Sequence, residues 1–146
     1  MKRLIALALV ALMLSGCSQK SAFEDLADGS CTVEQAQLVQ AHISSQIDAL
    51  AQKEWKFAYS FASPAFRSAV ALDEFVFIIQ EQYQMLISNQ GYEFNTCTIA
   101  NNRITQNVEV TSEAGITNLT YLLSVQQSTL GIEAAVLSDA DAPLVV

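Results

Sequence analysis

The chain has 146 residues, 51% of them hydrophobic, and carries fifteen acidic side chains against seven basic ones. Duplex binding requires clustered Lys and Arg that displace phosphate counterions, so this composition argues against a nucleic-acid partner. The chain has one His, His42, and three Cys without a C-x-x-C motif, which excludes the usual zinc sites. We therefore expect neither a metal nor another cofactor.

The amino terminus has the pattern of a secretory signal. Residues 2–3 are basic and residues 4–14 form an apolar run, which is too short for the roughly 20 residues of a membrane-spanning helix. The run ends in Leu-Ser-Gly-Cys at positions 14–17, which resembles the lipobox of bacterial lipoproteins. This resemblance implies cleavage before Cys17 and lipidation of its thiol. The alternative is an ordinary secretory peptide with a Cys near its end.

These signals predict where the mature protein lies and how it is divided. Because Ser18 rather than Asp follows the lipidated Cys, we expect an outer-membrane anchor with the domain facing the periplasm. Loss of the leader changes the net charge from −8 to −10, so the acyl chains must supply the membrane attachment. The expected segments are a signal peptide (1–16), a lipidated Cys and tether (17–32), a folded domain (33–138) and a tail (139–146).

The first helix is predicted to start at Val33. Thr32 is placed as its N-cap, with Gln35 near the position that completes a capping box. Apolar residues then recur every three or four positions, as one helix face requires: Ala36, Val39, Ile43, Ile47 and Leu50.

Two further helices are predicted before residue 90. Residues 55–61 continue the apolar content into a short second helix. Ser63 and Pro64 then indicate a break and a new start, with Ser as N-cap and Pro at the first helical position.

The third helix is predicted to run from a cap at Asp73 to about Ser88. Leu72 and Phe77 have the spacing of a hydrophobic staple across its start. Its buried side is expected to consist of Phe75, Ile78, Ile79, Met85 and Leu86.

After Gly91 the apolar pattern changes to the alternation that is typical of strands. Four strands are predicted, at residues 92–100, 104–111, 119–125 and 132–136, with turn signals between them. Helices followed by a meander indicate an α+β fold, with three helices packed on a curved four-stranded antiparallel sheet.

Residues 58–64 carry a resemblance to a known family. They read Ala-Tyr-Ser-Phe-Ala-Ser-Pro, which is similar to the A-x-x-F-A-S-P signature of an uncharacterised family of small secreted bacterial proteins. The likeness extends over about residues 33–138 and implies a nuclear transport factor 2-like cone, in which helices pack into a strongly curved sheet. Family members often carry a Trp and then a Cys in the last strand, near the places where Ile132 and Ala135 stand here.

With Cys17 assigned to lipid, Cys31 and Cys97 form an even pair in a compartment that permits disulfides. A bond between them would stabilise the fold by roughly 4 kcal/mol on the chain-entropy model. The alternative is two buried free thiols that act as small hydrophobic side chains.

Few side chains qualify as catalytic candidates. An isomerase or hydrolase of cone fold needs a carboxylate or His inside an apolar pocket, but His42 lies on the flank of the first helix's apolar stripe. Tyr121 alternates inward with its neighbours, which predicts a core position. Ordinary structural or surface roles are expected for Asp48, Glu54, Asp73, Ser60 and Ser63.

Two functions stay open. The first is a non-catalytic, membrane-anchored domain that binds a protein or a small apolar ligand in the cone. The alternative is a pocket enzyme of isomerase or hydrolase type, with His42 or an inward carboxylate as its base. A dry interior of the cone, filled by Phe, Leu and Ile side chains, favours the first. A solvent-reaching pocket of about 300 Å³ or more with a buried carboxylate or His favours the second.

Overall fold

The computed structural model describes residues 21–138, in which five helices precede most of one antiparallel sheet. The signal peptide, Cys17 and the tail 139–146 lie outside the described residues. The helices are α1 (Val33–Ala51), α2 (Trp55–Ser60), α3 (Pro64–Ala69), α4 (Leu72–Gln82) and α5 (Gln84–Ile87). The strands are β1 (Gly29–Ser30), β2 (Gly91–Ala100), β3 (Arg103–Ser112), β4 (Gly115–Gln126) and β5 (Thr129–Leu137), adjacent in that order.

Two predicted helix starts are confirmed. At α1 the Thr32 hydroxyl accepts from the Gln35 amide at 3.2 Å, and the Gln35 side-chain oxygen accepts from the Thr32 amide at 2.9 Å. At α3 the Ser63 hydroxyl accepts from the Phe66 amide at 3.1 Å, and Pro64 is the first helical residue. Both caps satisfy amides that a helix start leaves without intrahelical partners.

The prediction of a single helix from Asp73 to Ser88 is wrong. The helix begins at Leu72 without a side-chain cap, so Asp73 is not the cap and instead lies in the first turn, where the helix dipole favours a negative charge. Phe77 is 63% exposed and forms no staple. The helix ends before Tyr83, whose backbone leaves the helical region at φ −125°, ψ 37°, and α5 follows.

The sheet contains the four predicted strands and one more. In β3 the predicted alternation is confirmed, because every second residue from Ile104 to Ser112 is buried. The sheet is neither closed nor strongly curled, so the strongly curved sheet of a cone was a wrong expectation. The strand order starts at β1 and ends at β5, which do not pair with each other. The β2–β3 and β4–β5 pairs each contain a bulge, but the central β3–β4 pair keeps one register from Ile104–Leu123 to Ser112–Gly115 without one, so nothing bends the middle of the sheet.

The extra strand comes from residues that were predicted to be a tether. Gly29 and Ser30 pair with β2, and Phe23 is 8% exposed within the core. The Gln35 side chain also donates to the Ala22 carbonyl at 2.9 Å. Residues 21–32 therefore pack onto the domain. One large apolar side chain and a two-residue strand are enough to hold them there, and neither produces a periodic sequence pattern from which the packing could be predicted.

The predicted disulfide between Cys31 and Cys97 is present. Their Cα atoms are 5.5 Å apart, within the usual range for such a bond. The Cys31 amide also donates to the Cys97 carbonyl at 3.1 Å. The disulfide thus joins the start of the domain to β2.

The core lies between the helices and one face of the sheet. Tyr121 is fully buried there, as predicted. Gln106, its neighbour on β3, was not anticipated in the core; its side-chain amide donates to the Asn95 and Thr96 carbonyls at 3.2 and 3.3 Å, within the bulge of β2. Fully buried apolar residues include Val39, Ile43, Ile47, Leu50, Ile104, Leu119 and Leu123.

Candidate functional site: an apolar cavity beside the last strand

The Phe-Ala-Ser-Pro segment at residues 61–64 covers the first part of the outer edge of β5. Ala62 forms a parallel bridge with Ile132. The Ile132 amide donates to the Phe61 carbonyl at 2.9 Å, and the Ser63 amide donates to the Ile132 carbonyl at 2.8 Å. These two hydrogen bonds attach the segment before α2 and α3 to the last strand.

Close backbone approach makes Gly131 necessary at this contact. Ser63 is fully buried, and a Cβ atom on Gly131 would lie 2.6 Å from the Ser63 Cα and 2.8 Å from its Cβ. Side-chain carbons do not tolerate such distances, so a larger residue at 131 would displace the segment. The sequence resemblance drew attention to residues 61–64 but not to Gly131.

Beyond this contact an apolar cavity of about 170 Å³ lies between β5 and helices α4 and α5. Residues 132–135 of β5 all border it. A β-bulge at Glu133 interrupts the alternation of side chains in this stretch. The cavity reaches the outer edge of the strand at Tyr83, a lining residue whose hydroxyl donates to the Ala135 carbonyl. Its other walls are formed by Gln46, Phe66, Phe75, Ile78, Ile79, Tyr83 and Leu86.

The polar groups around the cavity are engaged in hydrogen bonds or an ion pair. The Tyr83 hydroxyl donates to the Ala135 carbonyl at 2.5 Å, and the Gln46 side chain donates to the Ala58 carbonyl at 3.3 Å. Burial raises the pKa of Tyr83 above its usual value of 10.0. Glu133, the acidic residue of the lining, lies 3.6 Å from the Arg103 guanidinium. The cavity therefore offers mainly apolar contact.

His42 lies outside this cavity, on the flank of α1 as the sequence indicated. Its Nε2 is 3.0 Å from the Phe61 carbonyl oxygen, and its ring packs edge-on against Phe61 with centroids 5.1 Å apart. Burial lowers the pKa of His42 below 6.5, and the hydrogen bond to Phe61 partly opposes that shift. His42 thus supports the same carbonyl that pairs with β5.

The other candidates do not meet at one site. Asp48 accepts from the Tyr92 hydroxyl at 2.8 Å, and the Ser60 hydroxyl donates to the Phe57 carbonyl at 2.6 Å. Burial raises the pKa of Tyr121, whose hydroxyl has no hydrogen-bond partner within the described part of the chain. None of the candidates borders the cavity beside β5, which the sequence analysis did not locate.

Two further properties concern residues 21–138 alone. No three His, Cys, Asp or Glu side chains among them are grouped to hold a metal ion. Within the same range, no helix has the length and apolar character needed to cross a membrane.

A comparison with known protein families identifies the family of this domain. Residues 32–144 match the model of a family described as a domain of unknown function, DUF4864. The chain belongs to the DUF4864 family. The DUF4864 match begins at Thr32, the cap of α1, and contains every residue that lines the cavity. No curated protein matches the chain.

Proposed function

We propose that this DUF4864 protein is an envelope lipoprotein whose domain binds an apolar group in the cavity beside β5 without catalysing a reaction. The Leu-Ser-Gly-Cys motif at 14–17 supports lipidation of Cys17, and Ser18 supports the outer membrane, facing the periplasm. The order of helices and then a meander supports a relation to the nuclear transport factor 2-like fold, in a version with an open sheet.

The cavity is the observation that carries the binding proposal. Its walls include the side chains of Phe66, Phe75, Ile79 and Leu86. An engineered apolar cavity of about 150 Å³ is known to bind benzene, so a volume of about 170 Å³ suits one ring or one branched aliphatic group. Burial of such a group removes apolar surface from water, which favours binding.

An isomerase or hydrolase would need a general acid or base in reach of the bound group. His42 does not border the cavity, and Glu133 stands beside Arg103. A binding role therefore accounts for the geometry better than catalysis does.

Toluene is a suitable probe of the cavity. We would titrate it into the mature chain carrying Cys17→Ser, which needs no detergent, and follow methyl NMR signals. We expect saturable shifts at Ile79, Leu86 and Ile132, and loss of those shifts in Ile79→Phe, which fills the cavity. Ile116→Phe is the matched control, because Ile116 is 64% exposed and outside the cavity. Absence of saturable shifts at the lining residues would refute the binding proposal.

The anchor has its own test. Labelled palmitate should be incorporated into the wild-type protein and not into Cys17→Ala, and the labelled protein should sediment with outer-membrane fractions. Equal labelling of both proteins would contradict lipidation at Cys17, and recovery in inner-membrane fractions would contradict the proposed location.

A further inference from the structure

We infer that the natural occupant of the cavity is an apolar side chain of an extended peptide, which adds to the open part of the β5 edge as a sixth strand. This inference rests on the proposed function, because it assigns a ligand class to the same cavity.

The backbone of β5 presents an edge to such a peptide. The Ser138 amide donates to the Asn118 carbonyl at 2.8 Å, so this pair is a hydrogen-bonded one. Hydrogen-bonded and non-hydrogen-bonded pairs alternate along antiparallel strands, which turns the backbone groups of Ala135 and Leu137 away from β4. No strand of the described residues lies beyond β5.

The chain itself shows that this edge accepts an extended segment. Residues 61–63 already pair with Ile132 in the parallel sense, through two backbone hydrogen bonds. Pro64 then begins α3 and leads the chain away from the edge. A peptide paired with Ala135 and Leu137 would continue the line of residues 61–63 along the edge of β5. It would begin where Pro64 turns the protein's own backbone away from that edge.

The cavity borders residues 132–135 of β5, so an added strand would pass beside it and could place one side chain in it. In strand addition, main-chain hydrogen bonds supply affinity and pockets for alternate side chains supply specificity. A Leu, Ile or Phe side chain fits the volume of about 170 Å³ and its apolar walls. The excess of fifteen acidic over seven basic residues favours a neutral or basic peptide over an acidic one.

Tyr83 now occupies one position on this edge. Its hydroxyl donates to the Ala135 carbonyl at 2.5 Å, as the amide of a neighbouring strand would. A bound peptide must displace that hydroxyl to use the carbonyl. Tyr83→Phe keeps the ring and removes the competing donor, so it should favour the peptide.

The test selects short randomised peptides displayed on phage against the mature chain carrying Cys17→Ser. We expect enrichment of peptides with one Leu, Ile or Phe between β-forming residues. The enriched peptide should protect the Ala135 and Leu137 amides from hydrogen exchange. Ile79→Phe should weaken its binding by at least about tenfold, the loss expected when a buried aliphatic group is excluded. Tyr83→Phe should strengthen binding about two- to tenfold, the contribution of one hydrogen bond.

Several outcomes would overturn the inference. If toluene binds but no peptide is enriched, or the enriched peptide leaves Ala135 and Leu137 unprotected, the peptide inference fails and the apolar-binding proposal stands. If toluene also fails to bind, both fail. Concentration-dependent dimerisation that protects these amides would identify a second copy as the occupant. The Ala135 and Leu137 amides could also be protected from exchange when no peptide is present. If deletion of residues 139–146 removes that protection, the chain's own tail is the occupant.

Discussion

The two edges of the sheet are closed in different ways. At one edge, β1 covers part of β2, and the Cys31–Cys97 disulfide fixes it covalently. At the other edge, residues 61–63 cover β5 through two backbone hydrogen bonds near Ile132, and the strand beyond borders a cavity. Open strand edges promote unwanted association, and proteins usually protect them. Each edge is therefore covered only in part, covalently at β2 and by two hydrogen bonds at β5. The cavity beside β5 makes that edge the one suited to reversible pairing.

Removal of the disulfide should have the largest effect. The double variant Cys31→Ser, Cys97→Ser should lower the free energy of unfolding by about 4 kcal/mol, because the bond closes a loop with a sequence separation of 66. Urea denaturation measures this change. Hydrogen exchange should accelerate first at Gly29 and Ile99, whose amides face each other across the β1–β2 pair, and not at Ile132. Equal acceleration at both edges under native conditions would show that they are not independent.

Gly131→Ala should have the next largest effect, and it acts on the other edge. The added Cβ would meet the Ser63 Cα at 2.6 Å, and such overpacking costs about 1–3 kcal/mol. The Ile132 and Ser63 amides should lose exchange protection. Ser63→Ala is the matched comparison, since it removes the cap of α3 at about 1 kcal/mol and leaves the backbone pairing in place. Unchanged protection in Gly131→Ala would contradict the close contact.

The smallest expected effect is the pH dependence that His42 contributes. Because burial lowers the pKa of His42 in the folded state below its unfolded value of 6.5, the unfolded chain binds the proton more readily. The corresponding stability is present above that unfolded value and is lost as the pH falls from it toward the folded pKa. Denaturation midpoints should therefore decline modestly from about pH 7 to about pH 5 in the wild type. The decline should be smaller in His42→Gln, and an equal decline in both proteins would assign it to other groups.

Local patterns made much of the fold predictable. The capping box at Thr32, the Ser63-Pro64 start and the inward position of Tyr121 each depend on residues close in sequence. The helix break at Tyr83 could not be predicted from neighbouring residues, because the Tyr83 hydroxyl donates a hydrogen bond to a carbonyl 52 residues away. The chemistry of a secreted Cys pair was enough to propose the disulfide, although the proposal left free thiols open.

The candidate site was harder to predict than the fold. Gly131 is necessary only because another segment approaches its backbone, and that approach has no signature in the residues around it. The cavity beside β5 is likewise formed by helices and a strand that are distant in sequence. Asp73 illustrates the opposite error, because an acidic residue at a helix start resembles a cap even when it already lies within the first turn.

If Cys17 carries the proposed lipid anchor, the buried position of Phe23 limits the height of the domain above the membrane. With the proposed anchor at Cys17, at most about 20 Å of extended chain separates the lipid from this fixed point. Phe23 lies beside Asn102 and Ser128, at the turns that join β2 to β3 and β4 to β5. From that end β5 runs nine residues to Leu137, about 25 Å along the strand. The lipid would thus hold the turn end near the bilayer, and the open edge would face the periplasmic space at the far end of the domain.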